Sequence, residues 1–289
     1  MLHTIQNEYL RVTVSEQGAE LQSILGADGT EYLWQGDPTY WSERAMNIFP
    51  YVARLTDGSY YLDGQLYRME IHGIAMYRRF LLEDHTDTAM TFLLESDAGT
   101  LGQYPRKFAF RIRYALEENR LDVTFLVDNR DEKTMYFGLG GHPGFMVPLE
   151  PGKTFEDYRL RFGAGSPRRV GFTAACYLDG TDAAFPLENG TDLPLRHDLF
   201  DDDAIVLKNM AKSVTLESGS GRSVTVSYPG MEYLGIWHWP RTDAPYVCIE
   251  PWCSLPSTQD KITVFEEQKD LLSLAPGGIY TNTWSITAE

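Results

Sequence analysis

Apolar and polar residues alternate with a period of two along much of the chain, and no long stretch carries a 3.6-residue apolar stripe flanked by helix caps. The pattern predicts an all-β fold. In Phe108-Ala109-Phe110-Arg111-Ile112-Arg113-Tyr114 the apolar side chains share one face of a strand and the two arginines share the other. Alternation resumes after Glu117-Glu118-Asn119-Arg120, with Val123 and Phe125 inward, so residues 108–127 read as a hairpin. A second hairpin is predicted from 213–216 and 222–226, which flank the flexible turn Ser218-Gly219-Ser220-Gly221. Residues 60–69 read as one strand, and another is expected to run from Met135 to a stop at Pro143. Residues 149–199, rich in Gly, Pro and Asp, alternate little and are expected to form long loops. No linker, low-complexity block or short repeat divides the chain, so 1–289 is read as a single domain.

Composition narrows the class. Hydrophobic residues make up 43% of the 289 and aromatics 13%, enough to close a sizeable core. Lys and Arg total 25 against 41 Asp and Glu, a net charge of -16 that repels phosphate backbones and anionic membrane surfaces, so no nucleic-acid or membrane partner is expected. The same excess opposes a strongly anionic substrate unless a local arginine cluster overrides it. The start MLHTIQNEYLRVTV lacks a basic segment followed by an apolar run, and a cytoplasmic location is expected. Cys176, Cys248 and Cys253 are odd in number and lack metal-site spacing, which suits reduced, buried thiols.

Several stretches carry candidate chemistry. In Leu139-Gly140-Gly141-His142-Pro143-Gly144-Phe145, continuation of the strand from Met135 would put Gly138, Gly140 and His142 on one face, the glycines clearing space beside the imidazole. A turn histidine bonded to its own backbone is the alternative. In Tyr246-Val247-Cys248-Ile249-Glu250-Pro251-Trp252, alternation places Glu250 on a face with Tyr246, Cys248 and Trp252. Aromatic rings beside a carboxylate suit the C–H faces and hydroxyls of a sugar, and partial burial would raise the carboxyl pKa and improve a general base. An edge-strand glutamate facing water is the rival. His72 beside Gly73, Arg54 at the end of the apolar segment Asn47-Ile48-Phe49-Pro50-Tyr51-Val52-Ala53, and Trp237-His238-Trp239 are further candidates for substrate contact. So is one member of Asp201-Asp202-Asp203. Loop, ion-pair, core and solvated roles, respectively, are the alternatives. No metal-ligand spacing, phosphate loop or nucleophile elbow stands out, so neither metal nor cofactor is expected.

In order along the chain, Asn7-Glu8-Tyr9-Leu10, Gly18-Ala19-Glu20-Leu21, residues 47–54, His72-Gly73, Gly140-Gly141-His142-Pro143-Gly144-Phe145, residues 202–207 and Cys248-Ile249-Glu250-Pro251-Trp252 resemble the aldose 1-epimerase (galactose mutarotase) family, in particular its LacX-like branch. The resemblance implies a large antiparallel β-sandwich and cofactor-free interconversion of the α and β anomers of an aldose. It places His142 at the general acid, Glu250 at the general base, and Arg54, His72 and Asp202 at substrate contacts. Galactose mutarotases usually carry Asn where this chain has Gly141 and a second glycine where it has Ile74, so sugar contacts different from those of galactose are expected. A hexose-6-phosphate epimerase, with Arg78 and Arg79 as the positive cluster, is one rival. A non-catalytic sugar-binding protein is another, and a glycosidase, which generally needs two carboxylates, a third.

Overall fold

The structure, a computed structural model, describes residues 1–219 and 221–289. Strands hold 48% of the chain against 6% in helix, so the all-β expectation holds. Two sheets dominate, one of nine strands and one of seven. Among the described residues every strand pair is antiparallel except the two-residue match of Thr263–Val264 with Ser59–Leu62.

Phe108–Glu117 and Arg120–Asn129 form the first predicted hairpin at the centre of the nine-stranded sheet. Phe108, Phe110, Ile112, Tyr114, Val123 and Phe125 are buried, as a strand with one solvated face requires. They pack in one apolar cluster with Leu207, Leu234, Ile236, Val247 and Ile249 of the seven-stranded sheet. The second hairpin is Ser213–Glu217 with Ser223–Ser227; of its predicted turn, Ser220 lies outside the described residues.

The seven-stranded sheet runs in the order Leu178–Ala184, Arg168–Phe172, Ile205–Lys208, Tyr233–Trp237, Tyr246–Trp252, Gly140–Met146, Ala45–Ile48. One face joins the core. Period two then dictates that His142, Glu250, Trp237, Val206 and Met46 lie on the other face, where they line a cavity.

Three expectations need correction. The strand from Met135 does not reach His142: Met135–Phe137 pairs with Leu272–Leu274, and Gly140–Met146 is a separate strand in another sheet. Pro143 does not end that strand. It sits inside it across from Ala45, and the pairing of Gly140–Met146 with the Glu250 strand simply skips residues 141–143. Residues 60–69 are two strands, Ser59–Leu62 and Gln65–Arg68, turned at Asp63-Gly64 with φ of 52° and 71°, the left-handed pair that a tight hairpin turn requires. Finally, residues 149–199 contain four short strands, Arg159–Phe162, Arg168–Phe172, Leu178–Ala184 and Asp192–Pro194. Leu178–Ala184 is an edge strand with both faces largely open, so it needs no apolar alternation.

Candidate active site

The pairing that sets Gly140 across from Trp252 and Gly144 across from Cys248 puts His142 directly across from Glu250. Such neighbours have Cβ atoms ~4.5–5.5 Å apart, and here His142 Nε2 lies 3.1 Å from Glu250 Oε2. The contact is close, but Oε2 lacks the alignment of a hydrogen bond, and His142 Nδ1 is also buried without a partner. Pro143 and Pro251 flank the pair and offer no N–H to close the ladder over it. Across the sheet the same row continues as Met46 beside His142 and Gly235 beside Glu250.

Gly235 was not singled out in the sequence. A Cβ there would lie 3.0 Å from Trp252 Cζ2 and 3.3 Å from Glu250 Cβ, so its missing side chain lets the indole and the carboxylate share one surface. Gly140 likewise makes room for Trp252, and Gly138 for Ser254. The glycines before His142 therefore clear space for those neighbours and not for the imidazole.

The cavity above this pair has a volume of about 510 Å³, within the range of small-molecule sites. Trp41, Trp237, Trp239, Trp252 and Phe172 give it aromatic walls. The Trp41 ring lies 5.0 Å from that of His142, and Trp237 meets the imidazole edge-on at 5.7 Å.

Loops bring the other polar groups. His72, at φ 62°, accepts a hydrogen bond from Ala53 N–H at Nδ1 over 3.3 Å, which leaves its proton on Nε2. Its ring meets that of His142 edge-on at 5.4 Å. Gly73 makes the approach possible, since a Cβ on it would fall 2.3 Å from Phe49 O. Arg54 lines the cavity, and its guanidinium has no hydrogen-bond or ion-pair partner among the described residues. Asp202 lines it as well. Asp203, where the family resemblance points to Asp202, is the more firmly held of the two: its Oδ2 accepts from Cys176 Sγ–H at 2.6 Å and its Oδ1 from Ala204 N–H at 2.9 Å.

Burial drives the electrostatics. Desolvation pushes the Glu250 carboxyl well above its ordinary value, and the charge on Asp203 adds to the rise. The nearby Trp252 indole N–H opposes it, although that N–H falls outside hydrogen-bond geometry. Desolvation holds His142 well below the usual imidazole value, and His72 adds to this. His72 itself is lowered to about 4, by burial first and Arg54 second. Both shifts favour the uncharged forms, carboxylic acid beside neutral imidazole.

The structure therefore gathers His142, Glu250, His72, Arg54, Asp202 and Trp237 around one cavity. It does not bring in His238. That side chain points into the core, fully buried, with Nε2 against His197 Nδ1 at 3.1 Å and Nδ1 against Trp239 O at 2.8 Å. Period two explains this: the neighbour of a cavity-facing Trp237 must face the other way, into the core. Arg78 and Arg79 also lie elsewhere. Arg79 pairs with Glu16 at 2.5 Å, and Arg78 faces a separate depression with Arg68. The cysteines are all free; Cys248 and Cys253 are buried as expected, whereas Cys176 is a half-buried part of the cavity wall whose thiol is pushed up to about 11, by burial first and then by Asp203. Among the described residues no helix is long and apolar enough to cross a membrane.

The family model described as aldose 1-epimerase matches residues 1–287. LacX, a plasmid-encoded protein of Lactococcus lactis subsp. lactis, is 32% identical over 98% of both chains. Among solved structures, a galactose mutarotase related enzyme from Lactobacillus acidophilus is 33% identical and superposes with a TM-score of 0.94 over 100% of this chain and 97% of its own. A galactose mutarotase-like protein from Lactobacillus casei is 31% identical, with a TM-score of 0.95 over the full length of both.

Proposed function

Because this chain belongs to the aldose 1-epimerase family, we propose that it is a cofactor-independent isomerase that interconverts the α and β anomers of an unphosphorylated hexose. The observation that carries the reading is the 3.1 Å approach of His142 Nε2 to Glu250 Oε2 on the floor of an aromatic-walled cavity. The anomeric hydroxyl oxygen and the ring oxygen of an aldose are bonded to the same carbon, so two proton-transfer groups this close reach both. The main core cluster, with members from Ile5 to Ala288, supports reading the whole chain as one catalytic domain.

The proton stored on the pair has to sit on the imidazole for catalysis. It passes from Glu250 to His142 as the polar groups of a bound sugar, with the donors Arg54 and His72 Nε2–H, stabilise the ionised carboxylate. Glu250 then takes the proton of the anomeric hydroxyl while His142 gives its proton to the ring oxygen. The bond between the anomeric carbon and the ring oxygen breaks, leaving an open-chain aldehyde. Rotation about the bond to the next carbon presents the other carbonyl face, and the two transfers run backward to close the ring. Arg54, His72, Asp202 and Trp237 hold the sugar; the cavity wall carries Glu43, Asp202, Asp203 and Glu250 against Arg54 as its fixed cation, which disfavours a phosphate.

The test is the equilibration of freshly dissolved pure anomers of an aldose panel, followed by polarimetry or NMR. Acceleration of at least one unphosphorylated hexose is expected. Tight binding of a sugar with no acceleration would favour the non-catalytic alternative.

A further inference from the structure

Beside the catalytic cavity lies a second pocket of about 630 Å³. The two are continuous, since Phe172, Cys176, Asp202, Asp203, Ala204 and Pro240 border both. Catalysis at the anomeric carbon needs only the first. A pocket of ~300–1,000 Å³ takes a drug-sized ligand, and a lone hexose is smaller than that, so the two spaces together are sized for more than one ring.

The chemistry of the second pocket suits a neutral polyhydroxylated group. Arg169 and Arg241 line it together with Asp201 and Asp202, yet none of these four side chains has an ion-pair or hydrogen-bond partner among the described residues apart from backbone contacts. Oppositely charged groups that border one space without pairing are available to donate to and accept from hydroxyls. Phe172 at the junction offers an apolar face for C–H groups, and Trp239, 46% exposed, stands on the rim of the first cavity. The arginines do not make this a phosphate pocket, because Asp179, Asp201, Asp202 and Asp203 outnumber them on its wall.

We infer that the second pocket is a sugar subsite and that the preferred substrate is a reducing oligosaccharide, whose reducing-end ring enters the His142–Glu250 cavity while the next ring occupies the space bordered by Arg169 and Arg241. This rests on the epimerase reading and deepens it. Polar loop groups then select the glycosidic partner, and the buried strand pair acts on whichever reducing end is delivered.

The test compares anomer equilibration of glucose, maltose, lactose, cellobiose and glucose 6-phosphate, all of which present the same reducing ring, by the intact protein and by Arg169→Ala and Arg241→Ala. At least one disaccharide is expected to exceed glucose in kcat/KM by about tenfold, the scale of one or two added hydrogen bonds to charged groups. Each substitution should remove most of that advantage while leaving glucose turnover unchanged, since neither arginine borders the first cavity. Equal kcat/KM for glucose and every disaccharide, or equal loss on both in the variants, would overturn the inference, as would a preference for glucose 6-phosphate. Calorimetric binding of the same sugars separates this from failure of the catalytic reading. Were no sugar turned over, tighter binding of a disaccharide that depends on Arg241 would uphold the subsite, and equal binding of glucose and disaccharide would reject it.

Discussion

His142 and Glu250 stand on adjacent strands whose register sets them across from each other, whereas Arg54, His72 and Asp203 reach the same cavity from loops and turns. The strand pair is buried on a face that faces away from the core yet sees almost no water, with Glu250 1% and His142 7% exposed. The loop wall is more open, and it is strained. Ala53, His72, Cys176 and Asp203 all border the cavity with φ between 54° and 80°, a region that residues with a Cβ seldom adopt and that clusters at functional sites. The contrast assigns different work to the two walls. A sheet holds two proton-transfer groups to within tenths of an ångström, and loops adapt polar contacts to the ligand.

The largest effect should come from the sheet. Glu250→Gln keeps the shape and removes the base, and His142→Asn removes the acid; each should lower kcat for anomer equilibration by about 10²–10⁴-fold. Sugar affinity measured by calorimetry should change little, because a loss confined to the transition state spares ground-state binding. Near-normal turnover in Glu250→Gln would show that another group takes the proton.

The next effect tests whether precision on that wall depends on an absent side chain. Gly235→Val places bulk where even a Cβ would sit 3.0 Å from Trp252 and 3.3 Å from Glu250. Displacement of the carboxylate by about 1 Å is enough to cost ~10²-fold in kcat. An unchanged kcat in a variant whose near-ultraviolet circular dichroism matches the parent would mean that the carboxylate tolerates movement and that the wall is less exacting than its register suggests.

Arg54→Ala probes the loop wall. Its guanidinium has no partner among the described residues, so its removal strands no buried partner and should act on the sugar alone. Loss of a charged hydrogen bond of ~1.5–3 kcal/mol predicts a KM raised about tenfold or more. kcat should change far less than in the strand variants. A fall in kcat as deep as that of Glu250→Gln would erase the distinction between the walls.

The same contrast governs what the sequence reveals. Period-two alternation around Glu250 assigns Tyr246, Cys248 and Trp252 to its face, and the structure agrees because a strand's side-chain directions are fixed by the backbone alone. Register between strands is not local, so nothing near either residue announces that His142 and Glu250 face each other; the family resemblance supplied that expectation. Three consecutive ring residues suggest one surface, although the alternation that points Trp237 toward the cavity already turns His238 into the core, the alternative role for that stretch. The sequence does not single out Asp203 within its run, nor Gly235 at all, for different reasons. One of three consecutive aspartates is selected by a loop conformation at φ 80°, and a glycine that makes room for a carboxylate on the neighbouring strand leaves no local signal.

The smallest effect links the walls. Catalysis requires the His142–Glu250 pair to hold one proton. At low pH His142 gains a second, and because burial lowers its pKa this acid limb should lie below the ordinary imidazole value of 6.5. At high pH the last proton is lost, and because burial and the charge on Asp203 both raise the Glu250 carboxyl, the alkaline limb lies well above the ordinary carboxylate value of 4.5. Asp203→Asn removes the like charge, so the ionised carboxylate becomes less unfavourable, the Glu250 pKa falls and the alkaline limb of kcat/KM moves to lower pH. The acid limb should stay in place, since burial and His72 lower His142 and Asp203 contributes nothing there. Because burial is the larger cause of the rise on Glu250, the shift should be partial and the limb should remain above 4.5. Asparagine can still accept from Ala204 N–H, which preserves the turn. A merely structural loss would lower kcat/KM across the whole pH range and leave both limbs where they were, and that outcome would detach Asp203 from the proton chemistry of the strand pair.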